Sequence, residues 1–446
     1  MHRILAILGA TVLALMALVG GVSAGTGVPD SRAGTAPAVP IGHPGWTGEK
    51  LFGSKSTDDW EPAVAADPSA PFVYILTTRY GGLKACRNCP DPALILRVSA
   101  DGGRTFGGDH FLCACKGIVA QNDPQIEVAS DGTVYAAWLN DFVPGVVVSR
   151  SKDHGRSWTA PITLKTPAIE FGDKPALAIS STGRDVYVAW NASDSYISVS
   201  HDFGATFGAP IKTNRDTRYW FAYSGAVAAN GTVTFSETNY SQDSTGPVRV
   251  EAIRSTDGGK HWHDVHIDTM AQQPPCVSDG CPTEFYGPSA LMAMDATGRL
   301  VVMYQGASVP EGPQRVYVRR SSNGGLTWSA RTDIDGGPRG TNAAFGGAAA
   351  TGHGDFRLWY QDDRNGPAGW NTWFRRSRDG GVTWSAETRL SDRPNGSPYK
   401  TAAGYAQPYG DYGEVAVTNT GRTIAVWGEG TSYAGPGGTW YDLSIP

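Results

Sequence analysis

Acids and aromatic residues recur at two fixed points along this 446-residue chain. One set leads into short segments of small apolar residues: Glu61, Asp123, Asp173, Tyr219, Trp220, Glu284, Tyr286, Tyr409, Asp411 and Tyr412. The other closes β-branched and aromatic segments: Arg79, Tyr80, Asp141, Asp194, Glu237, Tyr240, Asp362, Asp363, Arg364 and Glu429. Brought to one face, such residues suit sugar recognition. Rings cover the apolar faces of sugars, while carboxylates hydrogen-bond hydroxyls or perform acid–base chemistry. An acid just before proline, as in Asp123-Pro124 or Asp173-Lys174-Pro175, can equally do no more than shape the start of a strand. Taken singly, each acid fits that plain role; taken as a ring, they point to a ligand site.

A repeat supplies the elements that position them. The phrase "SADGGRTF" from Ser99 returns from Ser151, Ser200, Ser255, Ser321 and Ser377, at steps of 52, 49, 55, 66 and 56 residues. Such a period means an array of one supersecondary unit. Upstream of each copy stand a small-residue strand, a Gly/Asp/Asn turn and a β-branched or aromatic strand, as in "PQIEVASDGTVYAAWLN" (124–140). That is a hairpin signature. A third strand runs into the box ("VVVSRS", 146–151) and a fourth leaves it ("APITL", 160–164).

Seven hairpins of this kind predict an all-β chain: a seven-bladed β-propeller of four-stranded antiparallel blades. The six boxes leave a six-bladed ring as the alternative. The chain stops after a third strand in "GGTWYDLSIP" (437–446), and "GWTGEKLF" (45–52) resembles the fourth-strand segment "SWTAPITL" (157–164). Residues 45–52 are therefore expected to complete the last blade, with the propeller spanning 45–446. In the box itself, the Asp, Gly and hydroxyl residues suit a self-bonded turn and the closing ring suits packing between sheets, so the box reads as structural. One carboxylate per turn is too few for a dedicated calcium site.

The net charge of −5 is mild and unclustered, which argues against a nucleic-acid partner. His2 and Arg3 precede an apolar run from Ile4 to Val22, and "VSA" ends at Ala24. Residues 1–24 thus read as a signal peptide and 25–44 as a flexible leader, giving a secreted monomer with no membrane span after cleavage. An uncleaved N-terminal anchor is the minority reading. Six cysteines, Cys86, Cys89, Cys113, Cys115, Cys276 and Cys281, then read as disulfides, with the first four cross-paired and Cys276 joined to Cys281. A four-thiolate zinc site is the alternative. His261, His263 and His266 read as solvent-exposed, and "DDRNG" (362–366) as a polar turn; no cofactor is expected, with Ca2+ kept as an alternative.

The S-x-D-x-G-x-T-W repeat resembles the Asp-box, or BNR-repeat, pattern of the sialidase-like superfamily, over about residues 45–446. The resemblance implies a propeller with its boxes on the face away from the active site. It implies exo-sialidase or related glycoside hydrolase activity, or a non-catalytic module that binds glycans or proteins; a polysaccharide lyase is a third option. Family sialidases use three arginines for the substrate carboxylate, a Tyr–Glu nucleophile pair and an Asp acid/base. By region, the arginines correspond to Arg79, Arg218 and Arg364. The pair corresponds to Glu237 or Glu284 with Tyr405, Tyr409 or Tyr412, and the acid to Asp123 or Asp173. Trp220, Tyr286 and Asp411 join the substrate-binding set. The family's early F-R-I-P motif is absent from this chain.

Overall fold

The computed structural model describes residues 43–81, 89–113, 117–141, 143, 145–165, 171–241, 246–272, 288–366, 369–394, 396, 413–430 and 437–446. These residues form seven four-stranded antiparallel sheets and no helix. The chain is a seven-bladed β-propeller. The strands of blades 1 to 6 follow chain order outward from the axis, with inner strands Asp58–Ala66, Gln121–Val128, Asp173–Ile179, Tyr219–Val227, Leu291–Met294 and Ala343–Thr351. Blade 7 combines Glu414–Val417, Thr423–Gly430 and Gly437–Leu443 with an outer strand from the other end of the chain, Lys50–Leu51. The ring closes through Lys50 opposite Tyr441 and Leu51 opposite Trp440.

Packing follows from the two-residue period of a strand, which sends side chains alternately toward the two neighbouring blades. Each adjacent pair of blades shares one apolar cluster. Small inner-strand residues such as Ala63, Ala176 and Ala222 leave room at the crowded axis. Trp138, Trp190, Trp359 and Trp427, all on second strands, fill the wider space further out. Gly347 shows how tight the axis is: a Cβ there would lie 2.5 Å from Trp359 Nε1 and 2.8 Å from the Glu414 backbone.

The repeated turn is a closed hydrogen-bond unit. Asp101 Oδ1 accepts from Ser99 Oγ (2.7 Å) and the Thr105 N–H (2.9 Å), while Oδ2 accepts from Thr105 Oγ1 (2.6 Å). Ser99 Oγ in turn accepts the Gly103 N–H at 2.9 Å. Partial burial opposes the Asp101 charge, but these bonds outweigh it and hold the carboxyl down at about 2. The closing Trp contributes more than packing: Trp158, Trp262 and Trp328 each donate their indole N–H to the turn's own glycine carbonyl, at 3.2, 2.9 and 3.1 Å. In one copy His261 takes the hydroxyl's place, 2.6 Å from Asp257. That histidine and His263 are exposed, as expected.

Asn323 is the single amide among the six acids' positions. It accepts the Thr327 N–H at 3.0 Å but must donate to Thr327 Oγ1 (2.8 Å), where the aspartates accept. Charge-assisted bonds are the stronger kind. Asn323→Asp is therefore expected to raise the melting temperature by about 1–3 °C. An unchanged or lower value at neutral pH in scanning calorimetry would refute this account of the turn.

Candidate functional site

The start of the inner strand breaks register in the same way in several blades. Shifts fall between Trp60 and Ala63, Asn122 and Gln125, Asp173 and Ala176, Ala222 and Ser224, and Ala344 and Gly346. In blades 1 to 3 the residue before proline takes a left-handed backbone: Glu61 at φ 55°, Asp123 at 54° and Lys174 at 42°. Such conformations cost about 1–3 kcal/mol in a non-glycine residue and persist only where the surroundings enforce them. Bulges of this kind re-aim side chains at functional edges.

Tyr80, the last residue of the second strand of blade 1, is the focus of this region. Its ring packs 4.4 Å from that of Trp60, whose indole N–H donates to Asp58 at 2.7 Å. Its hydroxyl donates to Asn122 Oδ1 of blade 2 at 3.3 Å. Burial, and then the negative charges of Glu61, Asp123, Asp58 and Asp91, push its pKa well above the ordinary value. A phenol so placed keeps its proton and serves as a donor, not as a base. The Lys174 N–H points toward Asp123 Oδ2 at 3.4 Å and Asp173 Oδ1 at 3.0 Å, which ties blade 3 to the recess. Lys174 also lines an axial cavity of about 360 Å³, together with Gln125, Glu127, Tyr223 and Glu414. Among the described residues no cluster of His, Cys, Asp or Glu has the geometry to hold a metal ion.

The three arginines sit on different blades, each bound to local partners. Arg79 is 5% exposed and bonded to Asp59 (2.5 and 3.1 Å) and Asp109 (2.5 Å). Arg364 grips Asp362 and Glu387 and lies 3.6 Å over the Trp373 ring. Burial opposes its charge, but the bonds to Glu387 and Asp362 prevail and raise its pKa. Arg218 is fixed by neutral acceptors, Asn239 Oδ1 and the carbonyls of Asn239 (3.1 Å) and Pro247 (2.8 Å).

Glu237 and Trp220 share blade 4 with Arg218 but are sealed inside it. Trp220 is 2% exposed and donates to Asp216 at 2.7 Å. Glu237 is fully buried against blade 3, where it accepts from Ser195 Oγ (2.8 Å), itself bonded by Thr213 Oγ1 (2.7 Å). Its second oxygen has no hydrogen-bond partner. Burial pushes this carboxyl up to about 8. His266 is exposed yet not idle, since it meets Glu251 at 3.1 Å. The turn at 362–366 is an ion-paired corner, with Asp363 accepting the Asn342 N–H at 2.6 Å.

The structure thus gathers Asp123 and Asp173 at one recess and groups Glu237, Arg218 and Trp220 at blade 4, leaving Arg79 and Arg364 elsewhere. Glu284, Tyr286, Tyr405, Tyr409, Asp411 and Tyr412 lie outside the described residues, as do Cys86, Cys115, Cys276 and Cys281. Cys89 and Cys113 are described, and neither is a free thiol. The central place of Tyr80, and the roles of Trp60 and Asn122, were not apparent from sequence. The run "DDWEP" (58–62), with acids on both sides of a Trp before proline, is the signal that carries them.

Fold and recess together define a seven-bladed propeller with an acidic, aromatic mouth over blades 1 to 3. No family model matches the chain and no curated protein matches it. Many solved structures do. A protein of unknown function from Dyadobacter fermentans is 16% identical, with a TM-score of 0.52 over 90% of this chain and all of that one. A PL25 ulvan lyase is 13% identical, with a TM-score of 0.52 over 87% of this chain and 95% of that one. The Hadza microbial sialidase Hz136 is 14% identical, with a TM-score of 0.49 over 79% and 73%. At these identities the likeness is one of fold.

Proposed function

We propose that this protein is a glycan-acting propeller whose ligand occupies the recess over blades 1 to 3. The observation that carries the reading is the convergence of Asp58, Glu61, Asp91 and Asp123 on the protonated Tyr80, beside the Trp60 ring. An aromatic wall with convergent carboxyl groups suits a sugar ring, and a protonated phenol beside acids supplies a donor next to a candidate base. The propeller neighbours named for glycan chemistry support it, among them the ulvan lyase solved with -[GlcA(1-4)Rha3S]-. The leading form is a secreted glycoside hydrolase of the Asp-box type, its top loops held by the disulfides proposed for Cys86, Cys89, Cys113, Cys115, Cys276 and Cys281. In its narrowest form it is an exo-α-sialidase. A non-catalytic glycan-binding module is the second reading, and the ion pairing of Arg79 and Arg364 favours it, since neither arginine is open to a substrate carboxylate.

The test uses the chain from residue 25 onward on a panel of acidic and neutral glycosides that includes an α-sialoside. Turnover is expected to fall about 100-fold or more in Asp123→Asn and about tenfold or more in Tyr80→Phe, with melting temperatures preserved. Binding without turnover, weakened by the same variants, would select the second reading. Full activity and binding in both variants would remove the recess from consideration.

A further inference from the structure

We propose that the upper corner of blade 4 is a separate anion subsite, in which Arg218 and Arg249 take a carboxylate or sulfate group of a multi-unit acidic glycan. The proposal rests on the glycan reading above and extends it to a second point on the same face. Arg218 differs from Arg79 and Arg364 in what holds it. Its three bonds go to neutral oxygens, those of Asn239 and Pro247, so the guanidinium is fixed while its charge is left unmatched by an ion pair. Arg249 stands opposite Asn239 in the sheet register, is exposed, and forms no ion pair among the described residues.

Arg218 Nε bonds Asn239 Oδ1 and Arg249 stands directly opposite Asn239 on the next strand, so the two arginines flank one residue; after burial, the positive charge of Arg249 lowers the Arg218 pKa. The nearby carboxylates act in the opposite sense but are engaged in the scaffold. Asp216 accepts from Trp220 and from the Arg218 backbone N–H (3.3 Å); Glu251 meets His266. Two adjacent arginines repel each other, and an oxyanion shared between them relieves that repulsion with charge-assisted, often bidentate bonds. Exposed Arg215 adds a third positive charge in the same loop as Arg218.

Tyr80, the focus of the recess, stands on blade 1 and the arginine pair on blade 4, so blades 2 and 3 lie between them. A single terminal sugar at the recess cannot also meet the pair, so a ligand that uses both is an oligomer. Free sulfate or phosphate offers the same chemistry as a sulfated or uronate sugar, and length dependence separates the two sources.

Calorimetric titration of the wild type, Arg249→Gln and Arg249→Lys tests this with uronate and sulfated hexasaccharides, their disaccharides, neutral hexasaccharides and inorganic sulfate. Arg249 is exposed, so its variants are expected to keep the wild-type melting temperature. The acidic hexasaccharides are expected to bind Arg249→Gln about ten- to hundredfold more weakly than wild type, with partial rescue by lysine. Added salt should weaken the wild type more than Arg249→Gln. Neutral hexasaccharides should bind both alike. Equal affinity of wild type and Arg249→Gln for the acidic hexasaccharides would overturn the subsite. Disaccharides as tight as hexasaccharides would overturn the bridging ligand. If inorganic sulfate binds and no oligosaccharide does, acidic or neutral, the glycan source and the reading it rests on both fall. If neutral hexasaccharides bind and acidic ones gain nothing, only the subsite falls.

Discussion

Removing residues 45–52 is expected to abolish cooperative folding, although these residues form only a two-residue strand. Trp46 and Phe52 are the reason. Trp46 is 7% exposed and packs edge-on against Phe374 of blade 6 at 4.9 Å, while Phe52 is 1% exposed in the cluster between blades 7 and 1. Loss of a buried Phe or Trp side chain costs about 3–5 kcal/mol, against a total stability of about 5–15 kcal/mol for a typical domain. Backbone bonds go with them: Thr47 N to Leu443 O (3.0 Å), Phe52 N to Thr439 O (2.8 Å), and the Arg97 guanidinium to the Phe52 carbonyl. The deletion would also open the edge of Gly437–Leu443, a template for pairing with other chains. Urea unfolding should show Trp46→Ala and Phe52→Ala each less stable by about 3–5 kcal/mol. The deletion should aggregate or lack a cooperative transition. A deletion with the wild-type midpoint would mean that the ring holds without its closing strand.

The blades were legible in the sequence because their signals are local. Eight consecutive residues build each repeated turn, and hairpin residues lie within twenty of each other, so composition and spacing specify them. Six outer strands have only two residues, as in blade 2, where Ile162–Thr163 is all of the segment 160–164 that pairs; in blade 4 the outer strand His263–Met270 runs for eight. The site was less legible because its partners come from different blades. Nothing near Tyr80 in sequence announces Asn122, and nothing near Glu237 announces Ser195. Strand parity decides the arginines. Arg79 and Tyr80 are adjacent and so face opposite ways; the arginine meets Asp59 and Asp109 while the tyrosine meets the recess. A one-residue difference in register would have exchanged those fates.

Stability is expected to peak near pH 5 and to decline toward pH 9, and Glu237→Gln is expected to flatten that decline. Burial raises the Glu237 carboxyl from 4.5 to about 8, Glu414 to about 8 and Glu127 to about 7. For an acid raised on folding, the neutral form fits the native state. Its contribution is complete below pH 4.5 and is lost as pH rises through the folded value. For Glu237 the difference is worth roughly 4–5 kcal/mol above pH 8. Glu127 and Glu414 border the axial cavity, where water can soften the effect; Glu237 has no such outlet and is the cleaner probe. The turn aspartates work at the other end. Asp101, Asp153 and Asp379 are held down at about 2, so their stabilisation is present above the ordinary carboxylate range and lost as pH falls through 2. The two groups together leave a maximum between them. Glutamine keeps an oxygen for Ser195 and cannot ionise. Melting curves of Glu237→Gln should therefore overlie the wild type near pH 5 and exceed it at pH 8.5. A uniform loss at every pH would show that the carboxyl is needed as such, and that the wild-type decline has another source.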